Sequence, residues 1–381
     1  MSVDRVIHSA RLVDEHEVTP DAWVAFQGGV VAGLGTGDDW RALSPRHVDD
    51  AAEGWLTPGF VDIHGHGGGG ASYDDGADAI ARARAVHRAH GTTRAVLSLV
   101  TATIDDLAAR AAVVADLAAG DATILGSHLE GPFLDIAHKG AHAPSLLRMP
   151  DAASIDRLLD AGAGTIRQVT LAPELPGGMD AVRLLATAGV AVAVGHTDAD
   201  AQAARAAFDA GATILTHAFN AMNGIHHRAP GPVVAALGDP RVTLEVIADG
   251  THVHPDVIRM LLAAAPDRIA LVTDAMAAAG AADGDYLLGG LAVRVDGGVA
   301  RLAEGGAIAG STLTQDAAIR LMVHEVGMPL PAAVAAATTL PAAAIGVGDR
   351  FGSLTPGHAA DAVLLDDRLT VRRVWVDGAL V

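Results

Sequence analysis

Residues 60–66 read FVDIHGH, a short β-rich run that closes on two histidines one residue apart. The same construction recurs down the chain. Strands are expected at Phe60–His64, Arg94–Val100, Thr123–Glu130, Arg167–Ala172, Val190–His196, Thr213–His217, Val242–Asp249 and Arg268–Asp274. Helical stretches lie between them, among them Ala77–Ala89, Ile104–Ala119, Ala199–Ala210 and Asp256–Ala265. Thr197 and Asp200 have the spacing of a capping box at the start of the third of these. Strands alternating with helices imply a parallel sheet. Eight such units imply an α/β fold, a (β/α)8 TIM barrel.

The flanks read differently. Before residue 57 the apolar runs Val6 to Val13 and Ala22 to Leu34 suggest short strands, with a hairpin turn at Gln27-Gly28-Gly29. The last residues return to short strands at Ala362–Leu365 and Val371–Val376. Residues 1–56 and 346–381 are therefore expected to form one small β-sandwich domain built from both termini, around a barrel spanning 57–345. Asp285–Leu302, with glycine pairs at 289–290 and 297–298, reads as a β insertion at about 283–308, ahead of a last helix at Thr312–Val326.

Composition narrows the function. Half of the 381 residues are hydrophobic but only 3% are aromatic, so alanine-rich helices packed closely on a sheet are expected. A net charge of −19 argues against a nucleic-acid partner, which needs a basic face. There is no cysteine, hence no disulfide framework and no thiolate metal site. Mean hydropathy is +0.33. The longest uncharged stretch, from Val326 to Gly348, holds Pro329, Pro331 and Pro341 and suits proline-started helices better than a membrane span. The first residues are charged throughout with no apolar core of a signal, so a cytoplasmic protein is expected.

Barrel enzymes carry their chemistry on the loops at the C-terminal ends of the strands. Here those ends are biased: His64 and His66, Glu130, His196, His217 and Asp274. Any one such histidine alone is best read as a structural residue, and Asp274 alone as a helix cap. Five separate strand ends carrying such residues resist that reading. Imidazole and carboxylate ligands suit zinc, iron or manganese. A divalent ion lowers the pKa of bound water toward about 7. Asp274 can take that water's proton and return it to a leaving amine, and a further histidine can steady the oxyanion. Lys139 is the only lysine, so the expected fourth strand offers no lysine for carboxylation and Glu130 is the better carboxylate ligand. Gly67–Gly70 is not a phosphate loop, since no Gly-Lys-Ser/Thr follows, and reads as a flexible rim.

These segments resemble the amidohydrolase superfamily, and more closely its N-acetylglucosamine-6-phosphate deacetylases. The matching stretches are TPGFVDIHGHGGGG (57–70), HLEGPFL (128–134), KGAH (139–142), GHT (195–197), THAFNAM (216–222), ADGTHV (248–253), TDAM (273–276) and AGSTLT (309–314). They run in the family's order and cover nearly the whole chain. The resemblance implies the same barrel and terminal β domain. It implies Glu130, His196 and His217 around a principal metal, His64 and His66 at a second, and Asp274 as general acid/base. It implies His142 against the acetyl carbonyl, and Asn220, Ala221, Arg228 and His252 against the sugar phosphate. The resemblance implies a homodimer and leaves open whether Arg228 and His252 act in their own subunit or reach across to the neighbouring one. Some relatives carry asparagine in place of the second histidine and use one metal; this chain keeps His66, so one ion or two stays open. Arg228 is the only arginine of its loop, and its guanidinium fork suits phosphate. His226 and His227 beside it read as surface residues. The expected partner is a phosphorylated amino sugar, with no nucleic acid and no membrane. Another amidohydrolase, a deaminase or a cyclic-amide hydrolase, is the alternative. A barrel without catalysis would have lost ligands that this chain keeps.

Overall fold

The computed structural model describes residues 3–381. Eight parallel strands form the central sheet: β1 (Phe60–Asp62), β2 (Thr92–Val100), β3 (Ile124–Glu130), β4 (Ile166–Leu171), β5 (Ala191–Val194), β6 (Ala212–Leu215), β7 (Thr243–Ile247) and β8 (Ile269–Val272). Each pairs with the next in sequence. Every residue of β2 and of β3 is buried, as a sheet covered on both faces requires. Between β1 and β8 there is no strand ladder. That seam is closed by other means: the Asp274 N–H donates to the His64 carbonyl at 2.8 Å, and the Thr273 hydroxyl donates to the Asp62 carboxylate at 2.6 Å. The outcome is the expected eight-unit barrel, laced by side chains at one edge.

Helices cover the sheet: α1 (Ala77–Ala89), α2 (Ile104–Gly120), α3 (Ala152–Gly162), α4 (Gly178–Thr187), α5 (Ala201–Asp209), α6 (Gly231–Leu237), α7 (Pro255–Ala264) and α8 (Gln315–Leu321). Their inward faces are alanine-rich, with Ala83, Ala111, Ala204 and Ala207 fully buried, which lets helix axes approach the strands closely. Side-chain caps start α2 at Thr103, α3 at Asp151 and α5 at Asp200. The capping box expected from Thr197 does not form. Asp200 caps α5 instead, and the Thr197 hydroxyl donates to Glu174, because three more loop residues separate His196 from the helix. The last helix is shorter than expected: α8 ends at Leu321 and one π-helical turn, Met322–Val326, carries it to Gly327. Beyond it Leu330–Ala336 is a helix with Pro331 in its first turn. No described helix is long and apolar enough to cross a membrane.

Strands from both ends of the chain form one hydrogen-bonded sheet. Ala362–Leu365 runs antiparallel to Trp55–Pro58, which pairs in turn with Arg5–Val13. Gly59 links this sheet to β1, and a Cβ there would lie 2.2 Å from the Thr93 hydroxyl, so the approach needs glycine. Three antiparallel strands, Gly284–Leu288, Leu291–Asp296 and Val299–Leu302, are inserted between β8 and α8. Their apolar side chains Leu288, Val293 and Val295 pack on Val100 and Met276 at the barrel mouth.

Barrel and terminal sheet are tied by Arg94, at the start of β2 and 1% exposed. It donates to Asp361 at 2.6 and 2.9 Å and to Asp377 at 2.5 Å. Removing one partner of a buried pair leaves the other charge uncompensated, at a cost of about 3–5 kcal/mol. Arg94→Met is therefore expected to lower the urea midpoint of the metal-free protein by a corresponding amount. An unchanged midpoint would contradict this role.

Candidate active site

Four strands stop two residues short of a functional side chain: His64 after β1, His196 after β5, His217 after β6 and Asp274 after β8. The sequence places these residues as the last of their strands. Three of them leave the ladder because their backbone turns left-handed, with φ of 49° at His196, 24° at His217 and 46° at Asp274. Such conformations cost on the order of 1–3 kcal/mol each and persist where the surroundings over-determine them. Here they swing three side chains from the strand line to the barrel axis. Glu130 is the last residue of β3 and needs no such turn.

Gly67–Gly70 is not the flexible rim the sequence suggests. Gly67 and Gly68 pair with Ala71 and Ser72, and the His66, Gly67, Gly69 and Gly70 N–H groups donate to carbonyls of Ala275, Ala277 and Ala279 at 2.7–2.9 Å. Loop one is thus zipped to loop eight, above the seam that Asp62 closes below.

At the floor of the mouth, one carboxylate gathers five imidazoles. Glu130 Oε1 lies 3.0 Å from His196 Nε2, 3.2 Å from His217 Nε2 and 3.4 Å from His64 Nε2. Glu130 Oε2 lies 3.0 Å from His66 Nε2 and 3.5 Å from His142 Nε2. Asp274 approaches His66 at 3.3 Å and His64 at 3.7 Å. Two groups of ligand atoms, those of His64, His66 and Asp274 and those of Glu130, His142 and His196, each lie within 4.8 Å of one another. His217 Nε2 joins the second at 3.0 Å from His196 Nε2.

The donor set fits a divalent cation. His196 Nδ1 donates to the His138 carbonyl and His64 Nδ1 donates to Glu245, so both Nε2 atoms present lone pairs to the cluster. His64 Nε2 is buried and has no hydrogen-bond partner. Two imidazole nitrogens, of His196 and His217, stand 3.0 Å apart beside the Glu130 carboxylate, an arrangement that a shared cation would hold. Burial would lower the His66 pKa, but hydrogen bonds to Asp274 and Glu130 outweigh it and push the ring up to about 9. Burial would raise Asp274, but the bond from His66 holds it down at about 2. Burial pushes His142 down to about 4, which leaves that ring neutral at pH 7.

A cavity of about 320 Å³ opens above the cluster. His66, Glu130, His142, His196, His217 and Asp274 face it, and His64 lies beneath, fully buried. Of the residues expected at the sugar phosphate, Asn220, Ala221 and His252 line the same cavity. His252 Nδ1 is 2.7 Å from Asp249 Oδ2. Arg228 does not line it. It stands exposed on the loop after β6 with no ion pair among the described residues, and His226 and His227 are exposed beside it. Five contributors escaped the sequence reading. His138 forms part of the wall, and Leu288 and Ile308 of the insertion form another side. Glu245, between Leu244 and Val246, and Gln168, next to Val169, lie beneath the cluster, and a polar residue set against apolar neighbours in a strand is a signal that could have marked them.

Residues 55–381 match the model of the amidohydrolase family. The chain is 41% identical over 383 residues to N-acetylgalactosamine-6-phosphate deacetylase of Escherichia coli O157:H7, covering 98% of each. It is 34% identical over 383 residues to N-acetylglucosamine-6-phosphate deacetylase of Vibrio furnissii, covering 99% of this chain and 93% of that one. Its structure superposes with a TM-score of 0.94 and 43% identity on a point mutant of N-acetyl-D-glucosamine-6-phosphate deacetylase from Mycobacterium smegmatis in complex with N-acetyl-D-glucosamine 6-phosphate, covering 100% of this chain and 99% of that one.

Ligating imidazoles must be neutral, so an ion displaces protons. The metal-free His66 ring, at about 9, is protonated at pH 7. Zinc uptake in weak buffer is therefore expected to release acid at pH 7, and to release less as pH rises through 9. Glu130→Gln should abolish both the uptake and the release. Proton-neutral binding at pH 7 would count against the cluster as the ligand set.

Proposed function

The chain belongs to the amidohydrolase family, and on that premise we propose that it hydrolyses the acetamide of N-acetyl-D-glucosamine 6-phosphate. The products are D-glucosamine 6-phosphate and acetate. One observation carries this reading: Glu130 sits at the floor of the cavity with five imidazole nitrogens within 3.5 Å and Asp274 beside them. Glu130, His196 and His217 would hold the principal divalent ion, zinc, iron or manganese, and His64 and His66 a second. An ion so held supplies acidity to water and polarises the acetyl carbonyl.

The chain's own groups then divide the proton work. The Asp274 carboxylate, ionised and 8% exposed, accepts the proton of the attacking water. As the carbonyl carbon becomes tetrahedral, the neutral His142 ring donates a hydrogen bond to the oxygen that gains charge. Asp274 then delivers its proton to the amine nitrogen as the C–N bond breaks, and acetate leaves with the hydroxyl oxygen.

Asn220, Ala221 and His252 would orient the sugar phosphate, and Arg228 would grip the phosphate with its guanidinium fork. Arg228 lies outside its own chain's cavity wall, which supports a homodimer in which the loop at 224–229 overhangs the neighbouring cavity. We place the enzyme in the cytoplasm, since the charged phosphate of the proposed substrate would keep that sugar from crossing a membrane. The relative at 41% identity makes N-acetyl-D-galactosamine 6-phosphate the second substrate to test.

Acetate release from N-acetylated sugars, set against ammonia release from adenosine and ring opening of dihydroorotate, separates the readings. Acetate is expected from both N-acetylhexosamine 6-phosphates and far less from the unphosphorylated sugars, with little turnover of either ring substrate. Asp274→Asn should retain zinc and lose about 10²–10⁴-fold in kcat. Undiminished kcat would remove Asp274 from the proton transfer, and turnover confined to the ring substrates would refute the deacetylase reading.

A further inference from the structure

Glu245 on β7 is fully buried beneath the cluster, and no arginine or lysine pairs with it among the described residues. Three donors hold it. Its Oε2 accepts from His64 Nδ1 at 2.9 Å and from the His217 backbone N–H at 3.2 Å. Its Oε1 accepts from Gln168 Nε2, on β4, at 2.7 Å. Its own carbonyl accepts from the Ala218 N–H at 2.8 Å. One side chain therefore touches both ligand groups: the ring of His64 and the left-handed backbone of His217. Burying a carboxylate here carries a solvation cost that three hydrogen bonds only partly offset. The site must draw on it for something other than packing.

We propose that Glu245 is a positioning residue for the metal centre. By accepting the His64 Nδ1 proton it fixes the tautomer whose Nε2 lone pair faces Glu130 and Asp274. By holding the His217 N–H it keeps that strained turn aimed at the same point. Gln168 restrains the other carboxylate oxygen, so the carboxylate cannot rotate away from the two histidines. Its negative charge also raises the basicity of the His64 ring as a ligand. This rests on the reading that the cluster holds a divalent ion.

The test uses zinc as the probe, titrated into metal-free protein against a chromophoric chelator. Glu245→Gln conserves shape, and the unpartnered Gln168 Oε1 can accept from the new amide after Gln168 rotates, so the fold is expected to survive. The variant should bind zinc about 10–100-fold more weakly than the parent, with the metal-free melting temperature unchanged. A second measurement needs no variant: ¹⁵N shifts of the His64 ring in the metal-free parent should report the proton on Nδ1. Parent-like zinc affinity in Glu245→Gln, or a His64 Nδ1 that carries no proton, would overturn the proposal while leaving the deacetylase reading intact. A parent that takes up no zinc would overturn both.

Discussion

The structure turns on the buried carboxylate of Glu130. It is 4% exposed, and no arginine or lysine pairs with it among the described residues. A carboxylate in that position needs positive charge. The five rings around it can supply it in only two ways, as protons or by sharing a cation. Several local features of the barrel mouth serve this convergence. Three residues accept left-handed backbone to aim inward, and Glu245 and the His138 carbonyl orient rings from behind.

The seam of the barrel lies at the same cluster. His64 and His66 follow β1 and Asp274 follows β8, and no strand ladder joins these two strands. A backbone bond from the Asp274 N–H to the His64 carbonyl spans the seam there. Asp62 and Thr273 lace the strands from below, and the glycine hairpin after His66 zips to the loop after Asp274 from above. Barrel closure and the cluster thus meet at one edge. At the opposite end of the barrel the Arg94 pair with Asp361 joins the terminal sheet without touching the site.

Much of this was legible in the residues. The eight β-rich runs became eight strands because their apolar residues face two buried surfaces. The ligand-bearing ends stood out because histidine and carboxylate recur where strands stop. What was not legible depends on backbone sign and on distant partners. Nothing in GHT or LTH shows a left-handed φ, so the strands were drawn two residues too long. Thr197 fits a capping pattern, yet Glu174, far away in sequence, takes its hydroxyl. Gly67–Gly70 looked mobile because its partners lie some 200 residues further along the chain. Arg228 fitted phosphate chemistry, but a single chain leaves it outside the cavity.

The central claim is that Glu130, His196 and His217 share one ion. Diffraction from zinc-loaded crystals, recorded on both sides of the zinc absorption edge, tests it directly. The expected result is an anomalous peak about 2.0–2.2 Å from a Glu130 oxygen and from Nε2 of both histidines. Saturated crystals with no peak there, and those side chains bonded only to one another, would contradict it.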